Sequence, residues 1–247
     1  MKDRLFQNTN LRSIYGVSAL LLLLLLASCQ TETQKQCDYS SIPVPDKNAS
    51  LYEPPLILKE DGTMVGSGFV IHDGEVVTVG HVARGLNQCG YVFFGETRIL
   101  PLDIQNATVI SKEPQILDTL VEIPVIGEMN EDINSIAQFE PQIGDQLSIT
   151  GSVDQGEVKG TVVAARPIES VSGQTLTMKL MGKKICPGDS GGPVYNDKGE
   201  IVGGLFSGRR APPDTFLDAL LGRCASGFGT IIELQPDASN QNLAPLE

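Results

Sequence analysis

The sequence predicts an all-β body, and three observations point there. Short β-rich runs recur at close spacing from residue 55 to residue 234, turn signals such as Asp-Gly separate them, and the stretch 213–221 alone reads as a helix. Leu56, Ile57 and Leu58 form the first apolar run. The runs 67–71 and 75–79 flank Asp73 and Gly74, a strong hairpin signal. Residues 91–94, 108–110 and 120–123 continue the pattern. A second series follows at 146–150, 160–165 and 175–181. Residues 193–195 and 200–202 then turn about Asp197, Lys198 and Gly199, and 230–234 closes the series. Either a barrel or a sandwich satisfies this spacing. The helical stretch is short and reads as a surface insertion, and the tail from Gln235 is polar.

Composition bounds the function. The 247 residues are 41% hydrophobic with a formal net charge of -12. An acidic body argues against nucleic acid as a partner, because phosphate binding needs a basic patch. There is one long apolar run, residues 17–27, following Lys2, Arg4 and Arg12. Its length suits the core of an export signal and falls short of the ~20 residues that span a bilayer. It ends in Leu26-Ala27-Ser28-Cys29, which resembles the lipobox of bacterial lipoproteins. That resemblance implies cleavage before Cys29, lipidation of its thiol, and export to the bacterial cell envelope. Gln30 in the next position resembles the outer-membrane sorting pattern of Gram-negative lipoproteins. Residues 1–28 are then a signal peptide. Its three basic residues and one acid carry +2, so its removal takes the net charge from -12 to -14. Residues 29–50, polar and containing Pro43 and Pro45, read as a tether.

Four cysteines remain after Cys29, namely Cys37, Cys89, Cys186 and Cys224. An even number in an exported chain favours disulfides. The chain has two histidines, His72 and His81, and no C-x-x-C or H-x-x-x-H spacing, so the sequence gives no metal site and no cofactor.

The densest chemical signal is Gly188-Asp189-Ser190-Gly191-Gly192-Pro193-Val194. Ser190 is the candidate nucleophile, and the N–H groups of Gly188 and Ser190 are candidates for stabilising an oxyanion. A serine hydroxyl needs a base, and His81 stands at the end of an apolar strand in Thr78-Val79-Gly80-His81-Val82-Ala83. Asp118 opens the run Asp118-Thr119-Leu120-Val121 and supplies a carboxylate to hold the imidazole in one tautomer.

These motifs resemble the chymotrypsin-like serine proteases. Gly66 to Ile71 matches their glycine-rich strand, Thr78 to Ala83 the histidine motif, Asp118 to Val121 the aspartate motif, Gly188 to Val194 the serine motif and Glu200 to Gly204 the strand after it. The resemblance covers roughly residues 55–235 and implies two six-stranded antiparallel β-barrels with the site between them. It gives a protease domain over 51–236, with 237–247 as a tail, acting on protein or peptide substrates as a monomer. It implies a Cys186–Cys224 bridge, which leaves Cys37 with Cys89. It puts Lys184 at the base of the specificity pocket with Pro187 and Phe206 shaping it, so that acidic residues would be preferred before the scissile bond. The other reading turns Lys184 toward Asp189, whose usual N-terminal partner is missing; Lys183 and Arg84 are further candidates. After Pro236 the sequence carries no tandem binding module of the kind some bacterial stress proteases have. A catalytically silent binding or scaffolding lipoprotein is the competing function. An esterase of another fold would need the order Ser, Asp, His, and both histidines precede Ser190.

Overall fold

The computed structural model describes residues 37–41, 43, 55–95, 98–113, 118–129, 133–150, 157–167, 174–210 and 224–234. The chain divides into two units, Met1–Cys37 and Asp38–Glu247. Of the first, Cys37 alone is among the described residues; all elements below belong to the second. The signal segment with Cys29, the helical stretch 213–221 and the tail from 235 lie outside the described residues.

The N-terminal half begins with β1 (Leu56–Lys59), β2 (Met64–Ser67), β3 (Phe69–His72) and β4 (Glu75–Val79). A short helix, α1 (Gly80–Gly85), leads to β5 (Gly90–Phe94), β6 (Arg98–Leu102), β7 (Thr108–Glu113) and β8 (Asp118–Pro124). They pair as two four-stranded sheets, in the orders β2-β1-β5-β6 and β3-β4-β8-β7. The run read as a single strand over 67–71 is divided at Gly68, where the chain leaves one sheet and enters the other. A Cβ on Gly68 would lie 2.7 Å from a Val76 methyl and 2.8 Å from the Val77 carbonyl, so the corner needs glycine. A 3-10 turn over Ile104–Asn106 makes the corresponding corner between β6 and β7. A lone bridge, Leu102 to Val125, joins the sheets again.

The C-terminal half consists of β9 (Gln146–Thr150), β10 (Glu157–Pro167), β11 (Gln174–Ile185), β12 (Pro193–Tyr195), β13 (Ile201–Arg210) and β14 (Ala225–Glu233). These close into a barrel in the ring order β10-β11-β14-β13-β12-β9. Alternate residues fill it: Leu147 and Ile149 from β9, Leu176, Met178 and Leu180 from β11, Leu205 from β13 and Ile231 from β14. The expectation of two closed six-stranded barrels is therefore met by ladder pairing in this half alone. In the first half the corners at Gly68 and 104–106 interrupt the ladders, so it forms two sheets around a shared core.

The two halves share apolar contact. The first core takes in Ile201, Ile232 and Leu234 from the second half. At Gly204 of β13, a Cβ would sit 2.7 Å from Leu120 and 3.4 Å from Phe69. The bare backbone there lets the second half approach β4 and β8 of the first.

Candidate active site

The β4–β8 ladder runs in register from Glu75 opposite Pro124 to Val79 opposite Leu120. β4 is buried apart from its first residue, and the chain turns into α1 at Gly80. His81 is the second residue of α1 and is exposed. The β4–β8 register ends at Val79, two residues before His81, opposite Leu120, two residues after Asp118, the first residue of β8. The Asp118 side chain lies outside the described part. The His81 ring meets the Phe206 ring edge-on, centroids 5.5 Å apart and planes at 77°. Phe206 is half-buried on β13.

Phe206 also touches the serine. The half-buried Ser190 donates its hydroxyl to the Phe206 carbonyl at 3.2 Å. One residue thus contacts the candidate base through its ring and the candidate nucleophile through its backbone. The sequence placed Phe206 in the wall of a specificity pocket; its contacts here are with His81 and Ser190 themselves.

A tight turn presents Ser190. Gly188 and Gly191 have φ of 100° and 87°, the left-handed region that glycine tolerates. The Asp189 N–H donates to the Cys186 carbonyl at 3.1 Å and the Gly192 N–H to the Asp189 carbonyl at 3.0 Å. The Gly191 N–H donates to Leu205 at 2.7 Å, and Leu205 returns its N–H to Gly192 at 2.9 Å. Asp189 is 2% exposed. Its carboxylate accepts the Cys186 N–H at 2.6 Å, so a backbone amide contributes to satisfying the buried acid for which the sequence suggested a lysine or arginine. Lys184, near the end of β11, is exposed, as is Pro187. Cys186 is bridged to Cys224, which ties the foot of the serine turn to the start of β14. Cys37 and Cys89 are each disulfide-bonded.

Sequence reasoning missed Ser67, at the end of β2. Its N–H donates to the Ser190 carbonyl at 2.8 Å, and its hydroxyl donates to the Gly188 carbonyl at 2.6 Å. Its own carbonyl accepts the Thr78 hydroxyl at 2.7 Å. Space is tight on both sides. A Cβ on Gly191 would fall 2.1 Å from the Ser67 oxygen, and one on Gly66 would fall 2.7 Å from the Ser190 oxygen. The Gly66-Ser67-Gly68 string was visible in the sequence. Its partner in the serine loop, 121 residues away, was not.

Comparison with known proteins finds trypsin-like relatives. The trypsin family model matches residues 137–216. HhoB of Synechocystis, named as a serine protease, is 26% identical over 156 residues, covering 59% of this chain and 34% of HhoB. The chain thus spans about a third of the length of that curated relative. Among solved structures, the HtrA-type protease AlgW with a tripeptide is 18% identical, with a TM-score of 0.51. The match covers 74% of this chain and 57% of that one. A substituted form of AlgW with a tripeptide gives the same identity and coverage with a TM-score of 0.50. At that identity the two structures speak for the fold.

Proposed function

The chain is chymotrypsin/trypsin-like in sequence and fold, and from that premise we propose that it is a serine endopeptidase working through an acyl-enzyme. Ser190 attacks the scissile carbonyl while His81 takes the hydroxyl proton. Asp118 holds the imidazole tautomer and stabilises the imidazolium that forms. The N–H groups of Gly188 and Ser190 bind the oxyanion. His81 then gives its proton to the leaving amine, and a water repeats the sequence to release the acyl group. The observation that carries this reading is the pair of contacts Phe206 makes, which hold the histidine and serine segments of two different halves against one residue. The Ser190 hydroxyl points at the Phe206 carbonyl, so attack begins with its rotation toward His81.

That same bond favours a second reading, a silent binding or scaffolding protein in which the hydroxyl stays where it is. A fluorophosphonate probe separates the two. An endopeptidase is labelled on Ser190, and Ser190→Ala abolishes labelling. Peptidase activity in that variant and in His81→Ala falls by about 10³-fold or more. A correctly folded wild-type chain that takes no label and cuts no peptide is the silent protein. Full activity in Asp118→Asn would remove that residue from the mechanism.

A further inference from the structure

The sequence offers no metal-ligand spacing, but strand pairing gathers a donor set that spacing could not reveal. His72 and Glu75 face each other across the Asp73-Gly74 turn of the β3–β4 hairpin. Glu75 pairs with Pro124 and Val77 with Glu122. Residues two apart share a face of a ladder, so Glu75, Val77 and Val79 lie on the same side as Glu122 and Leu120. Val79 and Leu120 of this side meet Gly204 of the second half. Glu75 and Glu122 stand toward the other end of β4 from His81.

The three side chains converge. The His72 Nδ1 lies 2.8 Å from Glu122 Oε1 and 3.8 Å from Glu75 Oε2. One donor atom from each residue lies within 4.8 Å of the other two. We infer that His72, Glu75 and Glu122 form a binding site for one divalent ion of the zinc class, held by one imidazole and two carboxylates. Bonds of about 2.0–2.2 Å set neighbouring tetrahedral donors about 3.3–3.6 Å apart. The separations here bracket that range, so small side-chain rotations suffice. One nitrogen with two oxygens suits zinc or a neighbouring transition ion better than calcium or magnesium, which take oxygen alone.

Burial gives the ion a role. Glu122 is 8% exposed, and its side chain projects from a strand between apolar neighbours. Glu75 lies on the same face of the β4–β8 ladder. Two carboxylates gathered beside one imidazole leave negative charge that a cation would neutralise. His72 and Glu75 are both partly exposed, which leaves a path from solvent and room for a water as fourth ligand.

The test uses the full chain stripped with chelator and titrated with Zn2+ by calorimetry, with melting followed in parallel. The expected result is one ion per chain and a higher Tm on binding. His72→Ala and Glu122→Gln each weaken binding by about tenfold or more. His72 is partly exposed, so its loss is the milder change. Should Glu122→Gln fail to fold, Co2+ added to the wild type gives visible ligand-field bands that Zn2+ displaces and that His72→Ala removes. The inference is overturned if no ion binds up to about 1 mM, a Kd near the weakest specific range. It is also overturned if binding survives His72→Ala and disappears in His81→Ala. The first result would leave a trio that shares protons without a metal, and the second would put the ion on the other histidine.

Discussion

Ser67 holds two carbonyls of the serine turn at once, that of Ser190 through its N–H and that of Gly188 through its hydroxyl. Only the second bond depends on the side chain, so Ser67→Ala isolates it. The change leaves a carbonyl without that donor at a site where Ser67 is 1% exposed, a loss of about 1–3 kcal/mol. Gly188 is also the residue whose N–H would bind the oxyanion. Freeing its carbonyl should therefore slow fluorophosphonate labelling by about tenfold at temperatures where the variant is fully folded. A lower Tm with an unchanged labelling rate would reduce Ser67 to a structural role. Lys184 is open to a similar test. It is exposed two residues before Cys186 of the Cys186–Cys224 bridge, and an ammonium there would attract an acidic substrate residue. A peptide library should show Asp or Glu favoured before the scissile bond, and Lys184→Ala should abolish that preference. Selection of Arg, Lys or large aromatics would remove the idea. His81 and Ser190 could be proposed from the sequence because each sits in a local motif. Ser67, the contacts of Phe206 with His81 and Ser190, and the His72–Glu75–Glu122 group could not, because each depends on a partner on a distant strand.

Elements were legible where one face alternates, and illegible where a strand breaks a propensity rule for a reason of packing. The sequence reading passed over β6, whose Arg98-Ile99-Leu100-Pro101-Leu102 contains a proline. β6 ends its sheet, with a full ladder to β5 and the isolated Leu102–Val125 bridge on its other side, where the Pro101 carbonyl accepts the Ile126 N–H, so the missing N–H of Pro101 interrupts no full ladder there. The reading took β13 no further than Gly204, whereas the strand runs on to Arg210. Gly203 and Gly204 are what the fold requires there. A Cβ on Gly203 would sit 2.2 Å from the Ile232 carbonyl, and one on Gly204 would press on Leu120 and Phe69. The helix α1 spans six residues, too few for a 3.6-residue period to register. The Gly204 contact predicts that Gly204→Val lowers stability by about 1–3 kcal/mol, the usual range for overpacking. Urea unfolding should show a lower midpoint at an unchanged m-value, since the surface exposed on unfolding stays the same. A midpoint equal to wild type would mean that the two halves do not need this close approach.

At the scale of the whole molecule, the question is what would keep the proposed endopeptidase near its substrates. The N-terminal segment carries the pattern of an exported lipoprotein, with basic residues, the apolar run 17–27, and Cys29 after Leu26-Ala27-Ser28. A thiol at that place can take a diacylglyceryl group, and the new amine a further acyl chain. One chain binds a bilayer only marginally, at an association constant of about 10⁴ M⁻¹, whereas two or three hold firmly. Cys37, which is disulfide-bonded, lies eight residues beyond Cys29. At 3.3–3.6 Å per residue that leash reaches about 29 Å at most. An anchored chain would hold Cys37 within about that distance of the membrane and meet its substrates near the lipid surface. Mass spectrometry of the mature protein should find a diacylglyceryl-modified Cys29 at the N-terminus. Cys29→Ser should move the protein from the membrane fraction to the soluble fraction while leaving fluorophosphonate labelling of Ser190 intact, because the site is built from residues beyond 65. A mature chain that begins at another residue, unmodified and soluble, would sink the anchor without touching the assignment of the site.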